Sequence, residues 1–305
     1  MTLMVSKPRV GIIGGGAVGL TYAYFLSEAA DVVLKTRTKG QADELNKKGF
    51  QVTRKGETFE IKTARATDKF AELKDCDAII VAVKSYDTAA IAEELNKFTP
   101  ETTQIVSLQN GLQAVEILKA KMANPERVFA GVTYIGARRT ASRSIALGQF
   151  HRTVLDSGST VLLEALQATQ FGAEAEGNIK QAVWDKMVLN VAQNALSAVT
   201  NRSARQMLQS EQCLEIAGKL LDEFQKVAEA EGLSFTDSLL ERVKTNWSGG
   251  DDFYPSMWQD LHNGRCTEID AINGAIETLG QKHGIQTPYN SMITSLIKVL
   301  ESKKN

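Results

Sequence analysis

Lys186, Asn190 and Asn194 recur every fourth residue in the stretch Trp184-Asp185-Lys186-Met187-Val188-Leu189-Asn190-Val191-Ala192-Gln193-Asn194. At roughly 100° per residue they fall within an arc of about 80°, so a helix there presents one ammonium and two amides on a single face. Val188, Leu189, Val191, Ala192, Ala195 and Leu196 surround that face and would bury much of the helix. Polar groups in such a setting need partners. An ammonium is a proton donor at neutral pH, because a lysine ordinarily titrates near about 10.4; on spacing alone the same three residues could equally be a solvated face. A second cluster follows, Pro255-Ser256-Met257-Trp258-Gln259-Asp260 and then Arg265-Cys266-Thr267-Glu268-Ile269-Asp270-Ala271-Ile272-Asn273-Gly274. Here too a plain reading exists: Thr267 before acidic residues is a helix N-terminus, with Glu268 and Asp270 complementing the dipole.

At the other end of the chain stands a nucleotide motif. Gly14, Gly16 and Gly19 satisfy G-x-G-x-x-G, preceded by the apolar run Val10 to Ile13 and followed by Val18, Tyr22, Phe25 and Leu26 at helical spacing. The first glycine permits the tight turn out of a strand, the second lets a pyrophosphate approach the backbone, and the third lets the helix pack against the sheet. Exposed N–H groups and the positive end of the helix dipole would face the phosphates. The next strand, from Asp31, ends in Arg37 between Lys35 and Lys39. An acidic residue at that strand end accepts from the ribose 2′-hydroxyl of NAD, whereas a guanidinium binds a 2′-phosphate bidentately, so NADP(H) is expected over NAD(H).

Several elements must position these groups. Strand and helix patterns alternate through the first half, which predicts a parallel sheet covered on both faces. Residues 50 to 67 read as a hairpin about Lys55-Gly56, inserted into the sheet edge; 77 to 84 as a buried strand emptying at Lys84; 87 to 98 as a helix. A strand from Gln104 to Leu108 ends in Gln109-Asn110-Gly111, either a turn cap or a pair that orients a nicotinamide or a carbonyl; Val128 to Ile135 and Ser144 to Asp156 supply further strands. From about Ile179 only long helices are expected, so the division is placed near residues 172 to 177, as domains 1–175 and 176–305, with a frayed polar tail from Glu301.

Composition bounds the rest. The 305 residues carry 35 Lys plus Arg against 36 Asp plus Glu, so no global field recruits nucleic acid or an anionic membrane. No run has the length of a membrane helix, and the N-terminus is too short and polar for a signal peptide. Cys76, Cys213 and Cys266 are odd in number and widely spaced, which argues for reduced thiols in a cytoplasm, with small buried hydrophobes as the plain reading of all three. No constellation for a metal, a nucleophilic Ser or Cys, or a P-loop is present.

Taken together, these motifs resemble the ketopantoate reductase (2-dehydropantoate 2-reductase) family over nearly the whole length. The carriers are Gly-Gly-Gly-Ala-Val-Gly at 14 to 19, the basic strand end at Arg37, Val83-Lys84, Gln-Asn-Gly at 109 to 111, Trp-x-Lys-x-x-x-Asn-x-x-x-Asn at 184 to 194, and the run from Ser256 to Gly274. The resemblance implies a Rossmann-type parallel sheet followed by an all-helical domain of the kind that closes 6-phosphogluconate dehydrogenase. It implies NADPH-dependent reduction of the ketone of 2-dehydropantoate to (R)-pantoate, on the route to pantothenate and coenzyme A. Lys186 matches the family's general acid and Glu268 its active-site glutamate, which would hold a substrate hydroxyl and keep Lys186 protonated. Asn110, Asn190, Asn194 and Ser256 match substrate-binding positions. NADPH would lie on Gly14, Gly15, Gly16, Ala17, Val18, Gly19, Arg37 and Lys84, with Asn110 and Glu268 reaching it as well. The partner implied is a small 2-oxo acid, and an exposed helical face could serve as a homodimer contact.

The chain departs from the family where a His-Thr-Gly-like stretch is often found, reading Ser142-Arg143-Ser144-Ile145-Ala146-Leu147-Gly148, and again at Asn201 to Arg205. Two other readings follow: a related reductase of a different 2-oxo acid, or an NADPH-binding regulator without catalysis.

Overall fold

The computed structural model describes residues 7–62, 64–148, 151–249 and 252–302. The chain forms two compact units. One holds the described residues up to Gln109 together with Ala114–Ala182; the other joins Asn110–Gln113 to the residues from Val183 onward.

The first unit opens with β1 (Arg9–Ile13), α1 (Ala17–Leu26), β2 (Asp31–Lys35), α2 (Lys39–Lys48), β3 (Phe50–Arg54), β4 (Glu57–Ile61), β5 (Arg65–Thr67), β6 (Ala78–Val81), α3 (Thr88–Phe98) and β7 (Gln104–Ser107). It continues through α4 (Ala114–Lys121), β8 (Val128–Thr133), β9 (Ala137–Ala141), β10 (Ser144–Leu147), β11 (Thr153–Asp156), α5 (Thr160–Gln167) and β12 (Glu174–Glu176). Eight of these strands form one sheet in the order β12-β11-β8-β7-β6-β1-β2-β5, parallel except where β11 meets β8. From β1 the chain passes to β2 on one side and later returns to β6 on the other, with Ile13 level with both Lys35 and Val81. The order reverses at that point, so a crevice opens beyond the carboxyl ends of β1 and β6, where open parallel sheets bind ligands.

Residues 50–54 and 57–61 do form a hairpin about Lys55-Gly56, both with positive φ, but it does not extend the main sheet. It builds a second sheet, β4-β3-β10-β9, and only β5 reaches the main edge beside β2. The reason is burial: Phe50 and Val52 need cover, and with Ile145 of β10 they share a core with the apolar residues of α1. Every residue of α1 from Gly19 to Leu26 is buried, because main-sheet residues such as Val10, Ile12 and Leu34 share the same core; a helix apolar all round is stable only when enclosed. Thr63, Gln149 and Phe150, which fall within the expected hairpin and closing strands, lie outside the described residues.

The second unit is helical: α6 (Ile179–Thr200), α7 (Ala204–Leu208), α8 (Glu211–Ala230), α9 (Leu239–Ser248), α10 (Ser256–His262), α11 (Asn273–His283) and α12 (Pro288–Ser302). The units part in sequence within α6, at Ala182/Val183. From Val188 to Ser197 nearly all of α6 is buried, in a core with Leu220 and Phe224 of α8, Trp247 of α9 and Ile276 of α11. Asn273 Nδ2 donates to Val191 O at 3.1 Å and to Asn290 Oδ1 at 3.0 Å, so one buried amide ties α6, α11 and α12 together. Glu223 of α8 accepts from the Tyr289 and Asn290 N–H groups and from Asn290 Nδ2, capping the first turn of α12. The last helix continues through Glu301 and Ser302, and residues 303–305 lie outside the described residues.

Candidate active site

In the first unit, the glycine turn has the shape a dinucleotide requires. Gly14 has φ +121°, and a Cβ there would lie 2.7 Å from Ala82 O at the end of β6; a Cβ on Gly19 would lie 1.7 Å from Gly14 O. Both positions therefore demand glycine, one for the turn and one for the helix contact. Gly16 is different: a Cβ on it would meet nothing within 4 Å. It precedes α1, and among the described residues no side chain caps that helix end. Open space over unsatisfied N–H groups at a helix N-terminus fits a pyrophosphate. Ala17 and Val18 form the first turn, and Gly15 O accepts from Gln41 Nε2 (3.1 Å) and Arg139 Nη1 (3.2 Å), which hold the loop from behind.

Arg37 lies two residues beyond β2, its side chain 75% exposed, and its Nη2 donates to Asp87 Oδ2 at 2.9 Å. Lys35 turns away, its ammonium over the Phe70 ring at 4.2 Å, and Lys39 is exposed at the start of α2. Lys84 is half-buried at the turn after β6. Gln109 braces that turn: its Nε2 donates to Val83 O and to Thr88 Oγ1.

The second unit brings together the three residues with the most direct chemistry. Lys186 Nζ donates to Asn110 Oδ1 at 2.8 Å, and Asn110 Nδ2 donates to Glu268 Oε2 at 3.4 Å. One amide therefore bridges an ammonium and a carboxylate. Each is aimed by its own element. Trp184 packs on Phe224 and Asp185 accepts from Arg242 of α9, so the flanking residues fix the helix and leave Lys186 facing Asn110. Asn110 enters on the segment 110–113, docked where Leu112 N donates to Ala271 O; Gly111, at φ +94°, is needed there because a Cβ would lie 2.5 Å from that oxygen. Glu268 is 6% exposed and precedes the single 3-10 turn Ile269–Ala271. Ile269 N at the start of that turn donates to Thr267 Oγ1, while Asp270, the other acidic residue, pairs with Lys298. The helix proper starts only at Asn273, so Glu268 does not serve as an acidic first-turn residue.

Burial pulls the Lys186 ammonium down from 10.5 to about 8, and the charge of Glu268 opposes that fall. Asn190 and Asn194 stand one and two turns further along the same face, at 9% and 2% exposure. Asn190 Nδ2 lies 4.0 Å from Met187 Sδ; among the described residues the Asn194 amide makes no hydrogen bond. Ser256 is exposed on the first turn of α10, with no hydrogen bond joining it to Lys186, Asn110 or Glu268 among the described residues. Cys76 and Cys213 are buried, whereas Cys266 is exposed, against the expectation that all three are buried hydrophobes. Sequence reasoning missed Asp87, Gly111, Gln41 and Arg139. Only Gly111 had a local signal, as a glycine after a polar pair; the other contacts join residues 26 to 124 positions apart.

Among the described residues no group of three or more His, Cys, Asp or Glu could hold a metal, and no helix is long and apolar enough to cross a membrane. A glycine turn at the switch point of a parallel sheet, with a lysine held to an amide and a carboxylate in a helical unit, defines a dinucleotide-dependent oxidoreductase of the Rossmann type.

Comparison with known proteins agrees. Residues 10–160 match the family model described as ketopantoate reductase PanE/ApbA, and residues 178–301 match its C-terminal model. The 2-dehydropantoate 2-reductase of Archaeoglobus fulgidus is 30% identical over 302 residues, covering 96% of this chain and 98% of that one. The enzyme of the same name from Streptococcus pyogenes serotype M6 is 28% identical, covering 97% and 99%. The crystal structure of a PanE/ApbA family ketopantoate reductase from Ralstonia eutropha JMP134 superposes with a TM-score of 0.89 at 25% identity, covering 97% and 99%. A D-mandelate dehydrogenase solved with NADH and anilino(oxo)acetate also has a TM-score of 0.89, at 23% identity, covering 97% and 99%, which is a likeness of fold. This chain belongs to the ketopantoate reductase family, NAD(P)H-dependent oxidoreductases acting on CH–OH groups.

Proposed function

We propose that this protein reduces the ketone of 2-dehydropantoate to (R)-pantoate, a step toward pantothenate and coenzyme A, using NADPH. The observation that carries the reading is the chain Lys186–Asn110–Glu268. NADPH, when bound, supplies the hydride. As the ketone carbon accepts it, negative charge builds on the carbonyl oxygen, and Lys186 Nζ donates the proton that this oxygen needs. A lysine at about 8 suits that task better than one at 10.5, because it is still mostly charged at neutral pH yet gives up its proton more readily. Asn110 holds the ammonium in place before the substrate arrives, and Glu268 keeps it protonated and accepts from a substrate hydroxyl. Asn190, Asn194 and Ser256 supply the polar contacts for the carboxylate and carbonyl of the 2-oxo acid. The supporting observation is that Asn190 and Asn194 share the Lys186 face and that Asn194 is buried without a partner among the described residues. Arg37 at the strand end supports NADPH over NADH, through a bidentate contact to the 2′-phosphate.

The deciding experiment is NADPH consumption by the purified protein with 2-dehydropantoate beside a panel of other branched and aromatic 2-oxo acids. Turnover of 2-dehydropantoate at least tenfold above the panel is expected. A higher kcat/KM for another 2-oxo acid would refute the substrate while keeping the Lys186 chemistry, and cofactor binding without turnover on any member would refute both.

A further inference from the structure

We propose that Asp87 sets the cofactor preference of this protein by competing with the adenosine 2′-phosphate for Arg37. The inference rests on the reading of Arg37 as the 2′-phosphate ligand. Asp87 closes the 3-10 turn Ser85–Asp87 and immediately precedes α3, with helical dihedrals (φ −87°, ψ −10°) rather than the extended ones with which a capping aspartate accepts from first-turn N–H groups. Here its carboxylate makes no such bond and reaches Arg37 Nη2 at 2.9 Å instead. The backbone that aims it is well braced. Asp87 N donates to Lys84 O, Thr88 Oγ1 donates to Ser85 O at 2.7 Å, and Gln109 Nε2 donates to Thr88 Oγ1 at 2.8 Å. The strand end on the other side is equally defined, since β2 and β6 flank β1 and Arg37 follows β2 by two residues.

A guanidinium can hold a carboxylate or a phosphate through the same pair of N–H groups. A 2′-phosphate arriving at Arg37 must therefore either displace Asp87 or share the guanidinium with a second anion at hydrogen-bond range. Both outcomes weaken NADPH. NADH carries a neutral hydroxyl at that place and meets neither penalty. Asp87 thus narrows the preference for NADPH that Arg37 creates.

The test measures dissociation constants for NADPH and NADH by quenching of tryptophan fluorescence, in the parent protein, Asp87→Asn, Arg37→Ala and the double variant. Asp87→Asn is expected to tighten NADPH about two- to fivefold at low salt while NADH is unchanged, a range set by the modest strength of exposed ion pairs. The gain should shrink as salt is added, vanish in the Arg37→Ala background, and be absent from Asp87→Glu, which keeps the charge. An unchanged NADPH to NADH ratio in Asp87→Asn, or a shift that persists without Arg37, would overturn the role of Asp87. If Arg37→Ala itself leaves the ratio unchanged, the 2′-phosphate reading of Arg37 fails, and this inference fails with it. Thermal melts that match the parent show that the variants are folded.

Discussion

Replacing Glu268 by glutamine tests the electrostatics of the site more sharply than deleting the lysine. Hydrogen bonds of 2.8 and 3.4 Å through one amide join Lys186 Nζ to Glu268 Oε2, so the charges lie no more than about 8 Å apart, and at that limit two unit charges interact by about 2 kcal/mol for an effective dielectric of about 20. One pKa unit corresponds to about 1.4 kcal/mol. Removing the charge while keeping the shape should therefore lower the Lys186 pKa from its value of about 8 by at least about one. Lys186 acts as an acid in the reduction, so kcat/KM falls as pH rises through its pKa. The alkaline limb of the reduction profile should lie near pH 8 in the parent and move down by at least about one pH unit in Glu268→Gln. In the reverse oxidation the lysine acts as a base, and the rising limb should move down equally. The assay is the pH dependence of kcat/KM for NADPH-dependent reduction, with stopped assays at each pH to exclude denaturation. A uniform drop in rate with the limb still at pH 8 would show that Lys186 does not feel Glu268, and an upward move would contradict the sign of the coupling.

Three further outcomes follow from the same geometry. Asn110→Asp places a carboxylate where an amide oxygen now accepts from Lys186 at 2.8 Å, so the alkaline limb should move above pH 8, the opposite sign to Glu268→Gln; a limb at or below its parent position would count against direct contact. Lys186→Ala should lower kcat by about 10²- to 10⁴-fold, the ordinary share of a general acid, with the dissociation constant for NADPH within about twofold by fluorescence titration; retention of full activity would remove the assignment. Gly16→Ala should melt like the parent yet bind dinucleotide at least tenfold more weakly, because its Cβ would enter the open space over α1, whereas Gly19→Ala, with a Cβ 1.7 Å from Gly14 O, should lower the melting temperature as well. Equal melting of the two variants would show that Gly19 does not hold helix to turn.

Much of the fold was legible because its signals are local. The β1 turn and α1 announce themselves by glycine spacing between apolar runs, and the helical half by long uninterrupted periodicity, each set by backbone sterics within a few residues. The hairpin at 50–61 was equally readable, but its destination was not. A hairpin with one apolar face must be covered, and the sequence does not say whether a sheet edge or the far side of a helix will cover it; Phe50 and Val52 join α1 and Ile145 instead. Thr267 and Glu268 looked like a helix start for a related reason: N-cap chemistry is common to helices and to the single 3-10 turn that actually follows.

The site divides in the same way. The chemical inventory, a lysine and two asparagines on one helix face, a glutamate in a polar run, a glycine turn and a basic strand end, is written in the chain, because residue type and helical or strand period are properties of contiguous residues. The pairings come from the packing of distant elements. That packing decides that Asn110, 76 residues from Lys186 and 158 from Glu268, bridges the two; that Asp270 leaves for Lys298; that Ser256 stays exposed; and that Arg37 already holds Asp87. Such contacts depend on how separate elements pack, and so does the fall of the Lys186 pKa, which follows from the amount of protein around the ammonium rather than from any neighbour in sequence.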